Sequence, residues 1–161
     1  MSRTYDAIAA ATLTTDSASV TFSSIPDNYT DLVLMANVRG TALAYPRVLM
    51  NGSGADLSRI GVTGSGSTTA SARASDNYIV NTAYWNTSDF AFMTTTTILN
   101  YASTVTFKPM ITTVGNASVA VELVVNSWRS ASALTSVQYY ASSGNMAAGS
   151  TFQLFGVRAE S

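Results

Sequence analysis

Enzymatic chemistry needs groups that exchange protons, attack carbon or hold metals, and this chain of 161 residues is short of them. It contains no His and no Cys. That removes Ser-His-Asp and Cys-His nucleophilic arrangements, imidazole and thiolate zinc sites, and any disulfide framework. The acids and bases that remain are seven Asp and two Glu. Asp27 and Asp31 flank a tight turn in "IPDNYTD", where a loosely held Ca²⁺ is conceivable, but Asp at such positions ordinarily caps backbone amides. Glu122 lies in "VAVELVVN". Alternation there assigns Val119, Val121, Leu123 and Val125 to one face and Glu122 to the other, outward one, as an edge guard or interface hydrogen-bonding group. No pair of carboxylates has a spacing that suggests glycoside hydrolysis. The expectation is a chain without catalytic residues, metal or cofactor.

Two further signals dissolve on inspection. "GVTGSG", Gly61 to Gly66, resembles a phosphate loop but lacks the Lys-Ser/Thr ending and any helix pattern behind it. Four Asn-x-Ser/Thr sequons occur, at Asn28, Asn51, Asn86 and Asn116; in a chain so rich in hydroxyls about three arise by chance. The aromatic group Tyr84, Trp85, Phe90 and Phe92 is a better candidate. Exposed rings of this kind stack on sugars or anchor a protein interface, and buried ones pack a core. All three uses fit the sequence.

The elements that must position these residues read as strands. Ser and Thr together supply 44 of the 161 residues, the apolar fraction is 47% and the charged fraction 11%, well under the usual quarter. Such a composition suits a surface occupied largely by other protein, where a stray charge costs desolvation energy and a hydroxyl costs little. A net charge of −1 with seven scattered Arg and the single Lys108 gives no basic stripe for nucleic acid. No apolar run approaches the roughly 18 residues of a membrane span. "MSRTYDAIAAATL" is too broken by Arg3 and Asp6 for a secretory signal, so assembly in the cytoplasm of the producing cell is expected.

"SASVTFSSI" alternates, with Val20 and Phe22 on one face. "TDLVLMANVRG" turns Leu32, Leu34, Ala36 and Val38 inward and Val33, Met35, Asn37 and Arg39 outward. "YPRVLMNGSG" runs into an Asn-Gly turn. Residues 52 to 76, rich in Gly, Ser, Thr and Ala, read as a long loop with one short strand around "SRIGV". In all, nine or ten short strands with frequent turn signals predict one all-β domain over 1–161, an antiparallel β-sandwich of jelly-roll-like form. Residues 1–13 read as an N-terminal interaction arm.

The last strand poses a question. "GSTFQLFGVRAES" puts Phe152 and Leu154 on one face and Phe155 and Val157 on the other. A strand apolar on both faces is either central within its own domain or covered outside by another subunit.

The two ends of the chain, "SASVTFSSIPDNYTDLVLMANVRG" and "VVNSWRSASALTSVQYYASSGNMAAGSTFQLFGVRA", together resemble a template found in tailed-bacteriophage virion proteins. The likeness covers about 60 residues at the two ends; residues 45 to 110 match less well. The resemblance implies a non-enzymatic structural protein of the particle. On that reading the chain is a capsid decoration (cement) protein, homotrimeric and bound to the major capsid protein, its outer apolar residues covered by neighbours. The contact residues would include Arg3, Tyr5, Val33, Met35, Phe155 and Val157. The alternative within the same resemblance is a tail fibre module that recognises a host glycan through Tyr84, Trp85, Phe90 and Phe92.

Overall fold

The computed structural model describes residues 4–75, 83–85, 87 and 92–158; Arg3 and Phe90 lie outside them. All regular structure among the described residues is strand: β1 (Tyr5–Thr12), β2 (Ser19–Phe22), β3 (Asp31–Val38), β4 (Pro46–Met50), β5 (Leu57–Gly64), β6 (Thr69–Ala74), β7 (Phe92–Leu99), β8 (Lys108–Asn116), β9 (Ala120–Trp128), β10 (Val137–Ala141) and β11 (Thr151–Val157). They form an eight-stranded sheet in the order β1-β11-β3-β7-β8-β9-β5-β6 and a three-stranded sheet, β2-β10-β4. Every pairing is antiparallel. The fold is an antiparallel, jelly-roll-like β-sandwich.

Period-two alternation builds the core. Leu32, Leu34, Ala36 and Val38 on β3 and Phe152 and Leu154 on β11 face Val20, Phe22, Val48, Met50, Val137 and Tyr139 of the small sheet, and all are buried. Tyr139 links the layers: its ring lies 5.4 Å from that of Phe152 and 6.2 Å from that of Trp85. Its hydroxyl is 3.4 Å from Thr94 Oγ1, and burial holds its pKa well above the ordinary tyrosine value.

Turn chemistry fixes the register. Asn51 and Gly52 both have positive φ, 52° and 78°, and Met50 and Ser53 exchange backbone hydrogen bonds of 2.8 and 3.0 Å, as a two-residue hairpin turn requires. Asn51 also accepts from Thr135 N at 2.8 Å and Ser136 N at 3.1 Å, pinning the approach to β10.

Two segments differ from their sequence reading. Within the expected 52–76 loop, the strand read at "SRIGV" is β5, and a further strand, β6, joins it in a hairpin closed where Ser65 N donates to Thr68 O. The expected arm contains β1, an edge strand paired along β11 with a bulge between Ala7 and Ala9. β11 is therefore flanked by β1 and β3 and is interior to its sheet.

Candidate functional site: the outer face of the large sheet

Apolar residues occupy both faces of the eight-stranded sheet. The registers align its outward side chains into three rows across the strands. The first runs Phe155–Val33–Thr97–Ile111–Val125–Ile60–Arg73. The second runs Gln153–Met35–Thr95–Thr113–Leu123–Val62–Ser71. The third runs Thr151–Asn37–Met93–Gly115–Val121–Gly64–Thr69. Ile60, Val62, Met93, Ile111, Val121, Leu123 and Val125 are all exposed, Val121 to 60%. The outward positions of β7, β8, β9 and β5 carry no charge. The chain exposes 7835 Å², close to the ~7,700 Å² of a well-packed chain of this mass. The exposed patch is therefore a property of this face and not of loose packing.

The face is hollow. A trough of about 770 Å³ lies over β8, β9, β5 and β6, lined among others by Thr113, Val121, Leu123, Val62, Gly64 and Ser71. Two smaller hollows, about 290 and 110 Å³, lie beside Ile60 and Arg73 and beside Met35 and Met93.

This reverses the reading of β9. Val121, Leu123 and Val125 point outward, while Glu122 points inward at 5% exposure, where its Oε2 accepts from Ala83 N at 3.2 Å. Its inward neighbours mix buried apolar residues, Met110, Val114 and Val124, with buried polar ones. Thr96 and Thr112 hydroxyls are 3.0 Å apart, and Asn126 Nδ2 donates to Thr112 Oγ1 at 3.1 Å. The segment 83–85 crosses this polar half: Asn116 Nδ2 donates to Tyr84 O at 3.0 Å, and Trp85 pairs with Ala44 through backbone bonds of 3.2 and 3.3 Å. These bonds give the buried polar groups of β8 and β9 their partners, and both strands carry apolar residues on the outer side as well as the inner one.

The expected aromatic patch is corrected by the same segment. Trp85 and Phe92 are 0% exposed and meet edge to face at 5.4 Å inside the sandwich. The backbone bridge to Ala44 carries the indole over Gly40, where a Cβ would sit 2.1 Å from Trp85 Cδ1. Tyr84 is half-buried against Tyr45, with ring centroids 6.0 Å apart. These rings belong to packing.

Of the expected contact residues, Tyr5 is exposed on β1 and rests edge-on against Phe155 at 6.5 Å. Met35 is exposed, Phe155 and Val157 are half-buried, and Val33 faces outward yet is buried among its neighbours. They mark one end of the outer face, whereas most of its exposed apolar surface lies three to five strands away. Sequence reasoning missed β5, β8 and β9 as contributors; three strands with alternate Ile, Val and Leu were the available signal.

At the end of β8 away from the trough, the 100–107 loop projects Val105 and Phe107, 84% and 55% exposed. Ser103 Oγ accepts from Val105 N at 3.3 Å, Thr106 N at 3.1 Å and Thr106 Oγ1 at 2.8 Å. Buried Lys108 donates through Nζ to Thr106 O at 2.9 Å and Ser130 O at 3.1 Å, and lies 5.5 Å from the centre of the Trp128 ring. Desolvation lowers its pKa. Asp31, considered above as a cation ligand, accepts from Asn100 N at 2.8 Å and so caps the same loop.

No protein-family model and no curated protein matches this sequence. Among solved structures, the chain is similar to exo-inulinase from Aspergillus awamori, with a TM-score of 0.42 and 9% identity. That alignment covers 95% of this chain and 29% of the inulinase, so this chain spans under a third of that protein. It is also similar to galectin LEC-6 from Caenorhabditis elegans, with a TM-score of 0.32 and 8% identity, covering 93% of this chain and 96% of the galectin.

Proposed function

We propose that this chain is a non-enzymatic virion structural protein of a tailed bacteriophage, a capsid decoration protein that seats on the head surface and bridges its subunits. The observation that carries the reading is the outer face of the large sheet: broad, apolar, free of charge over four strands, and hollowed. A surface of that kind gains free energy when another protein covers it, and faces this large mark interaction sites. The likeness of the two chain ends to phage virion proteins supplies the setting. The mechanism is associative: many apolar and hydroxyl contacts, each weak, reinforce one another when copies are held together on a shell. Glycan recognition drew its support from an exposed indole at Trp85, and that indole is buried.

The test is immunogold electron microscopy of purified particles with an antibody raised to this chain, with denatured virions as a control for hidden epitopes. Gold spread over the head is the expected result. Gold confined to the tail tip or fibres would overturn the decoration role, and absence from both intact and denatured particles would overturn the virion role.

A further inference from the structure

Among the glycines without positive φ, two kinds stand apart. A Cβ at Gly40 would lie 2.1 Å from Trp85 Cδ1, and one at Gly156 would lie 2.3 Å from Tyr29 Cγ. The chain's own packing demands those glycines. Gly115 and Gly64 are different. A Cβ at Gly115 meets nothing within 4 Å, and one at Gly64 meets only Val121 Cγ2 at 3.8 Å. Neither has the positive φ that favours glycine. Glycine weakens a strand interior, and where the fold gives no reason for it, it marks a close approach by something else. Both lie in the third row of the outer face, beside Val121 at the trough.

The complementary shape is on the same strand. Phe107 immediately precedes β8 and Gly115 is its eighth residue, about 27 Å further along at ~3.4 Å per residue. The projection therefore cannot fill its own trough. Ile111 is midway between them, at the centre of the first outward row.

We infer that the occupant of this face is a second copy of the chain. The two large sheets pack outer face to outer face about a two-fold axis that lies in the interface and crosses the strands at the level of Ile111. That operation sets position 107 of each copy over position 115 of the other. Phe107 seats over the partner's Gly115 at the edge of its trough, with Val105 beside it, and the rows through Ile111, Val125 and Ile60 close between them. Sheets packed face to face keep their strands roughly aligned at a spacing of ~10 Å.

Area permits this arrangement. Five strands, β7 to β6, span about 24 Å, and nine residues of β8 and β9 about 30 Å, or ~700 Å² of sheet per copy. A stable interface of standard size buries about 800 Å² per partner. A head-to-tail three-fold ring would engage only projection and trough, leaving Ile111, Val125 and Ile60 in water. From β7 to β5 the rows carry no charge and meet themselves without repulsion, and Arg73 meets its own copy only at the exposed β6 rim. The hydrogen bonds of Ser103 and Lys108 hold the projection in place before contact, which lowers the entropy lost on binding.

This inference rests on the reading above only in taking the outer face as a protein contact surface, and it assigns that face to a second copy and not to the shell; no particle is required. The test is sedimentation equilibrium of the purified chain and two variants, with thermal melts to follow folding. The wild type forms a dimer. Gly115→Val blocks the seat of position 107 beside the trough, keeps or raises the melting temperature measured in dilute, monomeric solution, and weakens dimerisation by at least about 30-fold, the effect of losing an interface hot spot. Val105→Ser/Phe107→Ser does the same from the other side. A 1:1 mixture of the two variants recovers dimers, because the heterodimer retains one intact projection in one open trough. A wild type monomeric at ~100 µM (weaker than the affinities of specific stable interfaces), a trimer, or a Gly115→Val dimer as tight as wild type would overturn it. Since the readout is mass in solution, its failure is distinct from failure of the virion reading, which rests on labelled particles.

Discussion

The two sheets of this sandwich present opposite outer surfaces. The three-stranded sheet turns Ser19, Thr21, Arg47, Leu49, Gln138 and Tyr140 away from the core, and Gln138 Nε2 donates to Thr21 Oγ1 at 3.0 Å and Ser19 Oγ at 3.4 Å. Hydroxyls and amides that bond one another and water need no cover. The eight-stranded sheet turns out Ile60, Val62, Ile111, Val121, Leu123 and Val125, which cannot bond water. Both sheets share one core, so packing alone does not explain the difference. One domain carries a polar face on one side and an apolar face on the other.

The core common to both faces gives the largest effect. Trp85→Ala removes the indole that lies between Phe92 and Tyr139, and should cost about 3–5 kcal/mol in urea unfolding. A cost below about 1 kcal/mol would return Trp85 to the surface. Next come two strand glycines of the large sheet. Gly156→Ala drives a methyl into the Tyr29 ring and should cost about 1–3 kcal/mol. Gly115→Ala on the open side should change stability by no more than about 0.5 kcal/mol. Equal costs would break the distinction between glycines required by the core and glycines that shape the outer face.

Smaller effects sharpen the comparison. Val62→Thr with Leu123→Thr keeps strand-forming residues and should shift the unfolding free energy by about 1 kcal/mol or less, while retention on a hydrophobic column falls sharply. Thr21→Ser on the other face should change neither. The last test is pH. The folded-state pKa of Tyr139 is raised above its ordinary 10.0, so above that pH the unfolded chain loses a proton that the folded chain keeps, and stability falls. Tyr139→Phe should remove that part of the fall, at a cost near 1 kcal/mol at neutral pH for the hydroxyl's bond to Thr94. The lowered pKa of Lys108 acts in the opposite direction: stability rises with pH between its folded value and 10.5.

Much of the architecture was legible in the sequence, for reasons that particular residues make plain. β2 puts Val20 and Phe22 at alternate positions against Ser19 and Thr21, so inside and outside separate by parity, and Asn51-Gly52 announces its hairpin. β9 misled because both of its faces carry Val or Leu. Parity then gives two sets without saying which is inside, and Glu122 was assigned outward although the buried Ala83 amide receives it. β6, "TASARA", has few β-branched residues and no alternation, so nothing local announces a strand; it exists because β5 beside it supplies the ladder. Trp85 reads alike for core, sugar or interface, and only its bridge to Ala44, 41 residues earlier, decides.

The absence of cysteine permits the most direct test of the contrast between the two faces. Single cysteines placed at Val62 on the large sheet and at Thr21 on the small one can be timed for reaction with a maleimide as protein concentration is raised. The account predicts that Val62→Cys becomes progressively protected, while Thr21→Cys reacts at one rate throughout. Equal, concentration-independent rates at both positions would contradict it and leave the apolar face as open surface.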